Sequence, residues 1–71
     1  MKRVELLRII GRAARRAGSQ WVLGRQGREH EIWSLDGQQI PIPRHREVHE
    51  LTAKRILKDL ERRFGEGWWR R

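Results

Sequence analysis

The sequence predicts a small α+β domain in which a three-stranded antiparallel sheet carries two helices on one face. Residues near both ends repeat apolar side chains every three or four positions, as amphipathic helices do. The residues between them alternate apolar and polar side chains, as strands do. Asp36 and Gly37 interrupt this alternation with the pair best suited to a two-residue hairpin turn. The predicted order is therefore α-β-β-β-α.

The first predicted helix spans residues 3–17 and ends at Gly18, a residue typical of the position just past a helix. One half of its helical wheel is apolar and comprises Val4, Leu6, Leu7, Ile10, Ala13, Ala14 and Ala17. The other half carries Arg8, Arg12, Arg15 and Arg16 together with Glu5. Such a face could be a phosphate-binding ridge, but for one helix taken alone a solvated face is the more common outcome.

Three strands are predicted next, at residues 20–26, 29–35 and 38–42. Gly24 weakens the first strand and predicts a bulge or a close backbone approach. In the second strand, alternation separates the side chains into two sets: His30, Ile32 and Ser34 on one face, and Glu31, Trp33 and Leu35 on the other. Pro41 has no backbone N–H, so the third strand is expected at an edge of the sheet.

The second helix is predicted from about His49 or Glu50 to about Phe64, before Gly65. Its apolar stripe consists of Ala53, Ile56, Leu57, Leu60 and Phe64. Leu51 lies outside the stripe and is expected only to pack at the first turn. The tail, residues 65–71, contains Trp68 and Trp69, which could stack on bases, fold back onto the core or belong to a poorly ordered terminus.

Length and composition narrow the function classes. The 71 residues form one domain, residues 1–71, too small to enclose a large substrate cavity. No apolar run approaches the ~20 residues of a membrane span, and no signal-peptide core is evident, so a cytoplasmic location is expected. The net charge of +8 comes mainly from arginine, whose planar fork suits phosphate. Nucleic acid is therefore the first candidate partner, with solubility or an acidic protein as the alternatives.

The histidines do not have the spacing of a metal site. The chain has no cysteine, so a thiolate site is excluded. His49 and Glu50 begin a zinc-protease pattern, but Ala53 stands where its second histidine would be. No metal or other cofactor is expected.

Several short motifs follow one another over about residues 1–62: MKRVELLRII, a Trp-Val-Leu strand, Gly-x-x-His-Glu-Ile-Trp, Asp-Gly, Ile-Pro-Ile-Pro-Arg-His and LTAKRILKDL. In this order and spacing they resemble the HicA family of small bacterial toxins. The resemblance implies a double-stranded-RNA-binding-domain-like fold and a metal-independent RNase that cuts mRNA and is neutralised by a HicB antitoxin. Aligned with the family's Gly-Ser-His, His30 takes the position of the catalytic histidine, and Glu29 stands where the serine would be.

The chemistry that fits is cleavage of RNA by its own 2′-hydroxyl, which the protein promotes by moving protons and stabilising charge. We expect His30 to be the general base or acid. Arg28, Arg44 and Arg46 are the predicted phosphate ligands, and His45 is a candidate second proton carrier. By alternation, Glu29 and Glu31 face away from His30.

Structural alternatives exist for both histidines. On its residues alone, His30 would be interpreted as a partly buried strand histidine, and the family resemblance is what favours catalysis. For His45, a backbone contact in its loop is the preferred interpretation. The alternative function is a non-catalytic RNA-binding module of the same fold. For the RNase, the expected partner is a HicB-like protein that covers His30, Arg28 and Arg44.

Overall fold

The computed structural model describes residues 1–70 and has the predicted α-β-β-β-α order. Its elements are α1 (Arg3–Ala17), β1 (Trp21–Gln26), β2 (His30–Leu35), β3 (Gln38–Pro43), α2 (Glu50–Asp59), α3 (Glu61–Phe64) and a 3₁₀ turn (Trp68–Arg70). The strands form one antiparallel sheet in the order β1-β2-β3. The predicted fold class is thus confirmed, with two short elements added after α2.

The core lies between the helices and one face of the sheet. Its fully buried side chains include Leu6 and Ile10 from α1, Leu35 and Ile42 from the sheet, and Leu60 after α2. The strand partners Glu31 and Ile42, Trp33 and Ile40, and Leu35 and Gln38 all project toward this core face. No helix within residues 1–70 covers the other face of the sheet, and we call it the open face.

The β2–β3 hairpin turns at Asp36 and Gly37, as predicted. Both have positive φ angles, 49° and 90°, as a type I′ turn requires. The Asp36 carboxylate accepts a hydrogen bond from the backbone N–H of Gln20 at 2.8 Å and pairs with Arg63 at 3.1 Å. These two contacts tie the hairpin tip to the start of β1 and to α3.

A bulge at Gly24 interrupts β1, where the register with β2 shifts between Leu23 and Arg25. A Cβ atom at Gly24 would lie 2.9 Å from the carbonyl oxygen of Ile32, closer than a Cβ carbon comes to a backbone oxygen in real structures. The glycine is therefore required by a close backbone approach, and the predicted bulge is confirmed.

The prediction of one continuous second helix as far as Phe64 is wrong, because the helix is interrupted at Leu60. Helix α2 ends at Asp59, and α3 starts at Glu61 and ends at Phe64. Continuous helix would direct the N–H of Glu61 to the carbonyl of Leu57. That carbonyl instead accepts from the N–H of Leu60 at 3.2 Å and from the indole N–H of Trp68 at 2.9 Å. Competition for this one acceptor accounts for the break.

The tail folds back onto the core through Trp68, which is buried, while Trp69 is half-buried beside it. Of the three alternatives for the two tryptophans, packing against the core is the one the structure adopts. The last residue of the predicted tail, position 71, lies outside the described residues. None of the helices within residues 1–70 has the length and apolar character needed to cross a membrane.

Candidate active site

His30 is the first residue of β2, at the end of the sheet away from the hairpin tip. Its cross-strand partner is Pro43, and strand alternation places both on the open face. The side chain is exposed, and its imidazole makes no hydrogen bond to any residue within positions 1–70. Both ring nitrogens are therefore available to a ligand on the open face.

The loop between β1 and β2 is fastened to the exit of β3, which fixes the backbone of His30. The N–H of Gly27 donates to the carbonyl of His30 at 2.8 Å, and the N–H of Arg44 donates to the carbonyl of Glu29 at 3.1 Å. The Arg44 guanidinium also donates to the carbonyl of Gly27 at 3.0 Å. A Cβ at Gly27 would lie 2.7 Å from the carbonyl oxygen of His30, so this tight loop requires glycine.

A shallow cleft on this loop brings His30 together with Arg25, Arg28, Glu29 and Ile32. Arg25 and Arg28 are exposed, and neither forms an ion pair with any described residue. The cleft thus places an imidazole beside two guanidinium groups that are not neutralised within residues 1–70.

Arg25 lines the candidate cleft although the sequence did not predict it there. Simple alternation from Trp21 and Leu23 would send Arg25 to the core face. The bulge at Gly24 inserts one residue, so Arg25 pairs with Ile32 and lies on the open face with His30. The signal was present in Gly24, because a bulge reverses the face of every later residue in its strand.

Glu31 faces the core side, as alternation predicts, and supports the site from beneath. Its carboxylate pairs with Arg3 and accepts from the indole N–H of Trp33 at 3.1 Å. Arg3 also donates from Nε to the carbonyl of Pro43 at 3.0 Å. The network links α1 to the ends of β2 and β3 where His30 and Pro43 pair. Glu29 precedes β2, so alternation does not govern it, and it lines the cleft with His30.

The other predicted residues have different surroundings. Arg46 lines a separate groove with Lys2 and Arg8 at the start of α1, so the structure does not group it with the His30 cleft. The side chain of His45 is exposed and forms no hydrogen bond with the residues described. His49 caps α2, its Nδ1 accepting from the N–H of Leu51 at 3.4 Å.

The arrangement suits binding and proton transfer at a phosphodiester. Within residues 1–70, no three histidine, aspartate or glutamate side chains are grouped as ligands for a metal ion. No protein-family model, curated protein or solved structure matches this chain. What the site can do chemically follows from its own residues, above all from His30 and the arginines of its cleft.

Proposed function

We propose that the chain is a metal-independent endoribonuclease that cleaves mRNA, with His30 as the catalytic residue. The observation that carries this proposal is the exposed imidazole of His30, which has no hydrogen-bond partner within residues 1–70 and shares a cleft with Arg25 and Arg28. A histidine so placed can accept a proton from a bound ligand or donate one to it.

The reaction uses a nucleophile that RNA already contains. His30 takes the proton from a ribose 2′-hydroxyl, and the oxygen attacks the adjacent phosphorus. The bond from phosphorus to the 5′ oxygen then breaks, leaving a 2′,3′-cyclic phosphate and a 5′-hydroxyl. The departing oxygen takes its proton from water or from a second acid, for which His45 is the candidate.

The arginines bind the phosphate and stabilise its developing negative charge. Arg28 and Arg25 line the cleft itself. The Arg44 guanidinium donates to the carbonyl of Gly27, which leaves its remaining N–H groups for a phosphate oxygen. We assign Arg46 a more distant role, contacting the RNA outside the His30 cleft.

The ordered motifs and this site together support a HicA-type toxin of a type II toxin–antitoxin system. Such an enzyme would act on mRNA in the cytoplasm. Its activity would have to be inhibited by another protein, because no lid within residues 1–70 closes the open cleft. We propose that a HicB-like antitoxin inhibits the enzyme by covering His30, Arg28 and Arg44 with carboxylates of its own.

The test is cleavage of end-labelled single-stranded RNA by purified protein in EDTA. Wild type should yield fragments with cyclic-phosphate ends, and His30→Ala should lower the rate by about 10²–10⁴ without changing the circular dichroism spectrum. Gln39→Ala, an exposed change on the same open face, is the matched control and should cleave like wild type. Full cleavage by His30→Ala, or loss of wild-type cleavage in EDTA, would disprove the proposed mechanism.

A second candidate, a non-catalytic RNA-binding module, is favoured by one observation. No described side chain holds the His30 ring in a fixed orientation, and Glu29 occupies the position before it. The same assay separates the two functions. RNA binding that weakens steeply with salt, without any cleavage product, would identify the module.

A further inference from the structure

The exposed side of α1 carries a row of arginines that the His30 cleft does not use. Arg8, Arg12, Arg15 and Arg16 fall within about 100° of one another on the helical wheel, opposite the buried Leu6, Ile10 and Ala14. We call these four residues the α1 ridge. Because α1 packs on the core face of the sheet, the ridge points away from the open face that carries His30.

The ridge is not neutralised by any neighbour in the part of the chain that the structure describes. All four arginines are exposed, and none forms an ion pair or hydrogen bond through its side chain. Glu5 is the acidic residue in the first turn of α1, three positions before Arg8, yet the two do not pair. The ridge therefore presents its full positive charge to solvent.

Helix stability alone does not explain the ridge. Arg15 and Arg16 lie in the last turn, where cations interact favourably with the helix dipole. Arg8 and Arg12 lie too far from that end to benefit. Like charges at i,i+4, as in Arg8 with Arg12 and Arg12 with Arg16, destabilise a helix slightly. A bound polyanion would relieve this repulsion.

The C-terminal turn supplies an aromatic wall beside the ridge. A groove runs between α1 and the 3₁₀ turn, with Arg12 and Arg16 on one side and Trp69 on the other. Trp69 is half-buried, and the guanidinium of Arg70 lies over its ring at 5.3 Å from the centroid. Trp68 beneath it is buried and donates to the carbonyl of Leu57, which fixes the base of the groove.

We propose that single-stranded RNA binds along the α1 ridge and in this groove beside it, with the ridge following the phosphates and Trp69 stacking on a base through the ring face opposite Arg70. Arg8, Arg12 and Arg16 follow one another at about 6 Å along the helix axis, so they offer a regular series of cations. Cations that track a backbone beside an aromatic platform are the usual means of binding single strands. The groove would hold RNA at a second position, remote from the cleavage cleft.

The inference takes its choice of RNA from the proposed function, so its test must not depend on cleavage. The protein is the full chain carrying His30→Ala, and the probe is a fluorescein-labelled twelve-nucleotide oligouridylate followed by fluorescence anisotropy. Binding without any cleavage by the wild-type chain would refute the proposed enzyme and leave this groove standing. Normal cleavage by the wild-type chain, together with RNA binding that the groove variants do not weaken, would refute the groove and leave the proposed enzyme standing.

The ridge variant is Arg8→Gln, Arg12→Gln and Arg16→Gln combined. Its matched control is Arg55→Gln, Lys58→Gln and Arg62→Gln, which removes the same charge from exposed positions on α2 and α3. The ridge variant should bind at least about tenfold more weakly, and its slope of log affinity against log salt should fall by about 2, since three phosphate contacts are lost. Equal weakening by both triple variants would mean that net charge alone is responsible, which would overturn the proposal.

Trp69 is tested separately. Trp69→Ala should weaken binding about tenfold, and Trp69→Phe should restore most of it, because either aromatic ring presents a face for stacking. Unchanged binding by Trp69→Ala would refute the stacking role. The alternative partner is an acidic protein segment, and polyglutamate is the competitor that tests for it. If polyglutamate displaces RNA at an equal concentration of charge, the groove is a site for acidic protein segments, and the assignment to RNA is overturned.

Discussion

At the residue scale, Asp36 shows how one carboxylate secures the hairpin that carries the site. Its pKa is lowered from the ordinary value of 3.8, chiefly by the hydrogen bond from the backbone of Gln20, then by one from the side chain of Ser19, and further by the charge of Arg63. A slight burial opposes this shift. The folded state therefore favours the ionised carboxylate, and folding stability is linked to its ionisation.

The sign of this linkage predicts a pH dependence. A folded-state pKa below the unfolded value adds stability that is complete above about pH 5 and is lost as the pH falls through 3.8 and below. Asp36→Asn keeps a residue that tolerates positive φ but removes the charge. Urea unfolding should therefore show wild type more stable than Asp36→Asn at pH 7, with the difference shrinking toward pH 3.

Arg63→Gln provides the control for this prediction. It removes the charge that lies 3.1 Å from Asp36 but leaves the hydrogen bond from Gln20 in place. Because that hydrogen bond is the larger cause of the lowered pKa, Arg63→Gln should retain most of the pH dependence. A wild-type and Asp36→Asn difference that stays constant from pH 7 to pH 3 would show that ionisation of Asp36 does not contribute.

At the scale of elements, the sequence predicted those features that depend only on neighbouring residues, namely the hairpin turn and the alternation of side chains along β2. The Asp36-Gly37 turn needs positive φ at two adjacent residues, and alternation along β2 correctly separated His30 from Glu31. The break after α2 was not predictable in this way, because it involves a hydrogen bond between residues that are not neighbours in the sequence. The indole N–H of Trp68 donates to the carbonyl of Leu57, which is therefore engaged outside the helix. To predict the position of Arg25, both the presence of a bulge and the strand register after it must be known. Gly24 indicated the bulge but not the register.

The bulge gives a prediction about two glycines. Gly24→Ala should destabilise the fold by about 1–3 kcal/mol, because its Cβ would lie 2.9 Å from the backbone oxygen of Ile32. Gly11→Ala is the matched control: its Cβ would sit at an ordinary 3.8 Å from Trp21, so it should stabilise α1 by about 0.5–1 kcal/mol. Thermal and urea unfolding would measure both changes, and a neutral Gly24→Ala would contradict the close approach.

The C-terminal turn gives a prediction about Trp68. Replacing such a buried tryptophan by alanine costs about 3–5 kcal/mol. The core of a domain this small supplies little more than that, so Trp68→Ala should be largely unfolded at 25 °C. Trp68→Phe should stay folded with a modest loss, because Leu57 keeps its hydrogen bond from Leu60. Circular dichroism with urea titration decides, and wild-type stability in Trp68→Ala would mean that the tail does not support the core.

At the scale of the whole molecule, the sheet separates two basic surfaces. The helices cover one face of the sheet and carry the α1 ridge on their outer side. The open face carries His30 and Arg25, and Arg28 lies beside them in the β1–β2 loop. With a net charge of +8, both surfaces attract polyanions. In the function proposed above, one surface holds RNA while the other cuts it, and an inhibitor needs to cover only the second.

The last prediction concerns this inhibitor, the proposed HicB-like antitoxin. We expect it to cover residues 25–30 and 41–44 on the open face, with carboxylates opposite Arg25, Arg28 and Arg44, and to leave the α1 ridge exposed. Charged contacts of this kind chiefly speed association, so added salt should slow binding of the two proteins more than it speeds their separation. Hydrogen exchange of the complex should show protection in those two segments and little change along α1.

Such a complex should lose RNA cleavage and still bind oligouridylate, because occlusion of His30 leaves the groove beside Trp69 accessible. The ridge variant Arg8→Gln, Arg12→Gln and Arg16→Gln should abolish this residual binding while the complex itself still forms. Protection confined to α1, with residues 25–30 exchanging as in the isolated chain, would rule out direct occlusion. Inhibition would then have to act through the contacts of Arg3 with Glu31 and Pro43, which connect α1 to the strand ends beneath His30.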